Sequence, residues 1–136
     1  MANVPLISVV DDDESVRESL DGLIRSVGLA AKVFASAEEF LSSDHHCDTD
    51  CLLLDVRMPG MNGIQLHRHL MASQCEVPVI FITAHGSEQG VRSQALQNGA
   101  VDYLIKPLSE DTVLNAVDKA LSAKRHTQGQ SQLKNS

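Results

Sequence analysis

Five short apolar runs punctuate the chain: Leu6-Ile7-Ser8-Val9-Val10, Ala30-Ala31-Lys32-Val33-Phe34, Cys51-Leu52-Leu53-Leu54, Val77-Pro78-Val79-Ile80-Phe81-Ile82 and Val101-Asp102-Tyr103-Leu104-Ile105. The first, third and fourth are almost continuously apolar, the pattern of strands covered on both faces. Helical spacing separates them. Val16, Leu20, Leu23, Ile24 and Val27 fall on one face of a first helix, which Gly28 stops. Ser36-Ala37-Glu38-Glu39 opens a second with a serine cap and acids in its first turn. A third carries His67 and His69, which two residues' spacing turns to different sides, a poor metal pair. Residues 88–98 are mostly polar and include Gly90, so a fourth helix there is marginal: a site of motion or, as the sequence favours, a poor surface helix. Val113, Ala116, Val117, Ala120 and Leu121 form the stripe of the last helix, with Ser109 as its cap.

Strand and helix therefore alternate five times with short loops, which predicts an α/β fold: a doubly wound, five-stranded parallel sheet with five helices on its two faces. The strand order 2-1-3-4-5 follows by analogy with small members of that class, and any site belongs at the carboxyl ends of the strands. No internal repeat is present. Residues 1–124 read as one domain. From Arg125 the chain loses periodicity, so 125–136 reads as a flexible tail or the start of an interdomain linker.

Composition narrows the function. A chain of 136 residues with 43% hydrophobic content has material for one core. No run approaches the roughly 20 apolar residues of a membrane helix, and residues 1–5 do not form a secretory signal. A net charge of −7 and 3% aromatic content disfavour nucleic-acid binding by the domain itself and suit a cation site. Cys47, Cys51 and Cys75 are odd in number and lack CxxC spacing, so a reducing cytoplasm is the default and a disulfide scaffold is not expected. His45, His46, Cys47 and Cys51 offer one half of a soft-metal site. Their plainer reading is a polar loop entering a buried strand, with Cys51 a small core residue.

The chemistry gathers at strand ends. Asp11, Asp12 and Asp13 follow the first run and Asp55 closes the third. Asp13 and Glu14 are explained as cap and first-turn charge of the first helix. An aspartate ending a buried Leu-Leu-Leu run is not explained by solubility. In the predicted topology Asp11, Asp12 and Asp55 meet, and crowding like charges is costly unless a hard cation such as magnesium neutralises them. Thr83 ends the fourth run and Lys106 the fifth. A hydroxyl, an ammonium, a cation and a carboxylate together suit a phosphoryl group, the carboxylate acting as nucleophile.

Val-Val-Asp11-Asp12, Leu-Leu-Leu-Asp55-Val-Arg-Met58-Pro59-Gly60-Met-Asn-Gly63, Ile-Thr83-Ala84 and Tyr103-Leu-Ile-Lys106-Pro107 resemble the receiver domain of two-component response regulators over about residues 5–124, and in detail those of FixJ-type transcription factors. The resemblance implies a flavodoxin-like fold, Asp55 as phosphoacceptor from a sensor histidine kinase, and magnesium (manganese substituting) held by Asp11, Asp12, Asp55 and the backbone carbonyl of Arg57. It implies Thr83 and Lys106 as holders of the phosphoryl oxygens and Thr83 with Tyr103 as the switch, although Tyr103 reads equally as a half-buried edge-strand aromatic. Ala84 would leave the phosphate path open. Arg57 and His85 would tune phosphate lifetime or are merely solvated loop residues. Lys106-Pro107 would be a cis peptide. The implied output is homodimerisation through the fourth helix, fifth strand and fifth helix, where Leu114 either serves the interface or widens the core face. DNA would be bound only through an output domain that this chain does not contain, in the cytoplasm and with no membrane partner.

Four alternatives stand beside it. A stand-alone receiver would act by protein contact. Asp11-x-Asp13 resembles the opening motif of aspartyl-nucleophile, magnesium-dependent phosphatases, which need a larger chain. A flavodoxin-like electron carrier would need a Ser/Thr-rich phosphate loop after the first strand, and no GxxxxGK loop supports a nucleotide switch.

Overall fold

The computed structural model describes residues 4–44, 46–84, 93 and 96–135, the stretch 124–135 by backbone alone. The elements run β1 (Leu6–Val10), α1 (Glu14–Ser26), β2 (Ala30–Phe34), α2 (Ala37–Ser42), a 3₁₀ turn (His46–Asp48), β3 (Cys51–Asp55), α3 (Gly63–Ala72), β4 (Val79–Thr83), β5 (Asp102–Ile105) and a C-terminal helix (Glu110–Asn135). All pairings are parallel and the order is β2-β1-β3-β4-β5, the order the sequence predicts.

The two-residue period of the strands divides the core into two layers. Val10, Leu52, Leu54, Phe81 and Tyr103 face α2 and α3, where they join Phe40, Leu66 and Leu70. Ile7, Val9, Leu53, Ile80, Ile82 and Leu104 face the other way, against Leu20 and Ile24 of α1 and Val113, Ala116, Val117 and Ala120 of the C-terminal helix. Every residue of β3 and β4 is buried, as continuous apolar runs require of central strands.

Local chemistry sets the helix ends. The side chain of Asp13 caps α1 by accepting from the Ser15 amide at 2.9 Å, and Ser36 caps α2 by accepting from Glu39 at 3.0 Å. Asn62 and Gln65 form a reciprocal capping box at the start of α3. Ser109 accepts from the Thr112 amide at 3.1 Å.

Two features differ from the sequence expectation. Cys47 and Cys75 form a disulfide across 28 residues, a pairing that spacing alone does not suggest; Cys51 lies outside it, buried in β3. The backbone of the last helix continues to Asn135, although composition predicts a structureless tail from 125. Among the residues whose side chains are described, the apolar stripe that seats this helix on the sheet runs from Val113 to Leu121. The expected fourth helix lies mostly outside the described residues; 93, 96 and 97 within it are helical, which leaves four α-helices among the described elements. Among the described residues, no helix is long and apolar enough to cross a membrane.

Candidate functional site

Parallel pairing brings the carboxyl ends of β1, β3, β4 and β5 to one edge. Val10 is in register with Leu54, so the next residues, Asp11 and Asp55, stand side by side. Thr83 pairs with Ile105, and the Lys106 amide donates to the Thr83 carbonyl at 2.7 Å, tying the ends of β4 and β5 together. Asp11, Asp55 and Thr83 are buried, while Asp12 is exposed at the rim.

Asp11, Asp12 and Asp55 each place a carboxylate oxygen within 4.8 Å of the others. Lys106 leans into the group, its Nζ 3.0 Å from Asp11 Oδ2 and 3.7 Å from Asp55 Oδ2. Asp11 Oδ1 accepts from the Asp13 amide at 2.9 Å, and the Arg57 amide donates to Asp55 Oδ1 at 3.2 Å. Burial, then the charge of Asp11, raises the Asp55 carboxyl to about 7; Lys106 and the Arg57 amide oppose this, and Asp12 adds to it. Burial alone would lower Lys106, but its hydrogen bond to Asp11 and the charges of Asp11, Asp55 and Asp13 outweigh it and push it up.

The donor set fits a hard cation. Octahedral magnesium with oxygens at about 2.1 Å separates neighbouring ligands by roughly 2.9 Å and opposite ones by roughly 4.2 Å. Three carboxylates within 4.8 Å need only small adjustments to meet that requirement. One ammonium among three carboxylates also leaves negative charge uncompensated, and Asp11 and Asp12 add to the upward push that burial gives Asp55. Asp13 is different: its carboxylate is turned to the α1 amides, so the Asp11-x-Asp13 spacing does not deliver two carboxylates to one centre.

The remaining residues surround this edge. Arg57 and Ala84 are exposed. Tyr103 is buried in β5, its ring 6.4 Å from that of Phe81. The Lys106–Pro107 peptide is cis. His85 lies outside the described residues.

Two side chains and two glycines brace this edge. Arg17 reaches back from α1 to donate from Nη1 to the Asp11 carbonyl at 2.8 Å, holding the first turn after β1. Glu38 on α2 accepts from the Met61 amide at 3.0 Å, which braces the loop between Asp55 and α3. Within that loop Gly60 takes φ +74°, in the left-handed region. Gly63 starts α3 against the end of β3, where a Cβ would collide with the Asp55 carbonyl oxygen and come within 3.1 Å of the Val56 Cα. The sequence marked it only as the end of the Met58-Pro59-Gly60-Met-Asn-Gly63 segment.

Residues 7–118 match the model of the response regulator receiver domain. The chain is 41% identical over 123 residues to the transcriptional regulatory protein TdiR of Thauera aromatica, covering 90% of this chain and 54% of TdiR. It is 36% identical over 115 residues to the transcriptional regulatory protein FixJ of Bradyrhizobium diazoefficiens, covering 85% and 56%. Among solved structures, the response regulator StyR superposes with a TM-score of 0.84 at 39% identity, over 97% of this chain and 67% of StyR. The chain thus spans about half the length of the curated relatives it matches.

Proposed function

The chain belongs to the response regulator receiver domain family, and from that premise we propose that Asp55 accepts a phosphoryl group from a sensor histidine kinase and that the domain uses the modification to control transcription. The observation that carries the reading is the contact of one half-buried lysine with two strand-end aspartates, Lys106 with Asp11 and Asp55, beside buried Thr83.

In the proposed transfer an Asp55 oxygen attacks phosphorus, an O–P bond forms as the N–P bond of a phosphohistidine breaks, and the electron pair leaves with the imidazole nitrogen, which takes a proton from solvent. Asp11, Asp12, Asp55 and the Arg57 carbonyl would hold magnesium, which would supply positive charge beside the transferring group. Lys106 offsets charge on the same oxygens, and the Thr83 hydroxyl donates to one of them. Ala84 keeps the approach open; exposed Arg57 sets how readily water reaches the acyl phosphate, a role the sequence also offers His85.

The switching element is the Thr83–Tyr103 pair. A Thr83 side chain drawn toward the phosphoryl group changes the space behind it, where Tyr103 packs with Phe81. The output is a homodimer through the face of β5 and its flanking helices, which exposes Ile105 (45%) and Leu96 (38%). Residues 125–136 lead from that face as a linker, and DNA recognition belongs to a further segment of the kind implied by the names of TdiR and FixJ. The cytoplasm is the proposed setting.

Incubation with magnesium and acetyl phosphate, followed by intact mass, tests this. The parent gains one labile phosphoryl group and Asp55→Asn gains none. No gain in the parent, or an equal gain in the variant, removes Asp55 from the role.

A further inference from the structure

At the sheet edge opposite the carboxylates, two loops meet. The 3₁₀ turn before β3 supplies His46 and Cys47, and the segment between α3 and β4 supplies Cys75. Together they bring an imidazole nitrogen and two sulfurs within 4.8 Å of one another. The sulfurs are joined as a disulfide. The imidazole is held from two sides: Nδ1 lies 3.3 Å from the Ser43 carbonyl, and the ring packs edge-on against Phe40 at 5.4 Å.

We propose that, when the disulfide is reduced, His46, Cys47 and Cys75 form a site for a soft divalent cation of the zinc class, with a fourth position open to water; the disulfide is the closed form of that site.

Two thiolates and an imidazole are the donor set that such a cation prefers over magnesium. A histidine whose second ring nitrogen donates to a backbone carbonyl is the usual arrangement around zinc, because it fixes the tautomer and the ring plane. Donation from Nδ1 to Ser43 leaves the lone pair on Nε2. With Zn–S bonds of about 2.3 Å the two sulfurs of a tetrahedral site sit about 3.8 Å apart. Separation on that scale falls on Cys47, exposed in its turn, and on Cys75, which belongs to a loop rather than a strand. Cys51 is closer in sequence but buried in β3 and outside the cluster. The partner that a half-site at 45–51 lacks is therefore Cys75.

The chemistry balances. A dithiol reductant supplies two electrons and two protons; the Cys47–Cys75 bond breaks, two protein thiols form and the reductant becomes a disulfide. Cation binding then releases the two thiol protons to solvent. A small-molecule disulfide reverses the sequence, taking two electrons and expelling the cation.

Cobalt is the probe. Protein reduced with a phosphine, desalted without oxygen and titrated with Co²⁺ is expected to bind one equivalent with a thiolate-to-cobalt charge-transfer band, which zinc then bleaches. A carboxylate cluster cannot produce that band. Oxidised protein shows none, Cys47→Ser and Cys75→Ser lose at least half its intensity, and His46→Ala weakens affinity at least tenfold. Cys51→Ser retains the full band. The proposal is overturned if reduced parent lacks the band, if the band survives intact in both serine variants, or if His46→Ala binds as the parent does. His46→Ala keeps the test decisive should a cysteine variant fail to fold.

Discussion

Gly63 shows how closely single residues constrain the phosphoacceptor edge. Its Cα faces the backbone at the end of β3 with no room for a methyl group, so Gly63→Ala must push α3 away from Asp55. We expect a loss of about 3 kcal/mol, in the range of overpacked cores, read as a fall in the urea midpoint at unchanged slope. His67 gives a second residue-level test. Burial depresses its imidazole below the ordinary 6.5, and its ring packs edge-on to Phe81 at 5.4 Å. A depressed folded-state value means the contribution is fully present above 6.5 and is lost as pH falls through the folded value. Urea midpoints at pH 7.5 and 5.5 should therefore differ more in the parent than in His67→Gln, and equal differences would refute this. At this scale the sequence is informative where a polar residue interrupts or ends an apolar run. Asp55, Thr83 and Lys106 announce themselves that way. Arg17, Glu38 and His67 do not, because each looks like an ordinary helix residue and meets, only in the fold, a partner that its own helical pattern does not mark.

Among elements, the loop from Val56 to Asn62 depends on a helix with which it shares no sequence signal. Glu38 reaches from α2 to the Met61 amide, and that bond lowers the Glu38 carboxyl from its ordinary value. Glu38→Ala should speed hydrogen exchange at Met61 at least tenfold while leaving β3 and β4 amides protected; unchanged exchange would show that the loop holds itself. The strands and helix caps were legible because they rest on local chemistry: period, capping hydroxyls and first-turn acids. The length of α2, only Ala37–Ser42, was not, because a serine cap marks where a helix begins and says nothing of its end. The disulfide was not legible either. Cys47 and Cys75 meet only because β3 and β4 are neighbours and their preceding loops share an edge.

For the molecule as a whole, the alternation of elements predicts the sheet, analogy with small members of the class supplies its order, and that order brings carboxylates from β1 and β3 together. That convergence has a thermodynamic consequence. Asp55 titrates near 7 in the fold against an ordinary 3.8, so its contribution is most favourable below 3.8 and is lost as pH rises through about 7. Asp55→Asn removes the repulsion and should raise the melting temperature of the metal-free protein at pH 8, on the order of 5 °C, with a much smaller gain at pH 4. Magnesium acts in the same direction by a different route. A cation that binds only the folded state at about a hundred times its dissociation constant adds roughly 2.7 kcal/mol. The parent should therefore gain stability from magnesium at pH 8, and Asp55→Asn, already relieved of its charge, should gain much less. Calorimetry of both proteins with and without magnesium at the two pH values measures all four corners. If the variant and the cation stabilise additively, the carboxylates of β1 and β3 do not share one cation, and the proposed metal site at this edge is wrong.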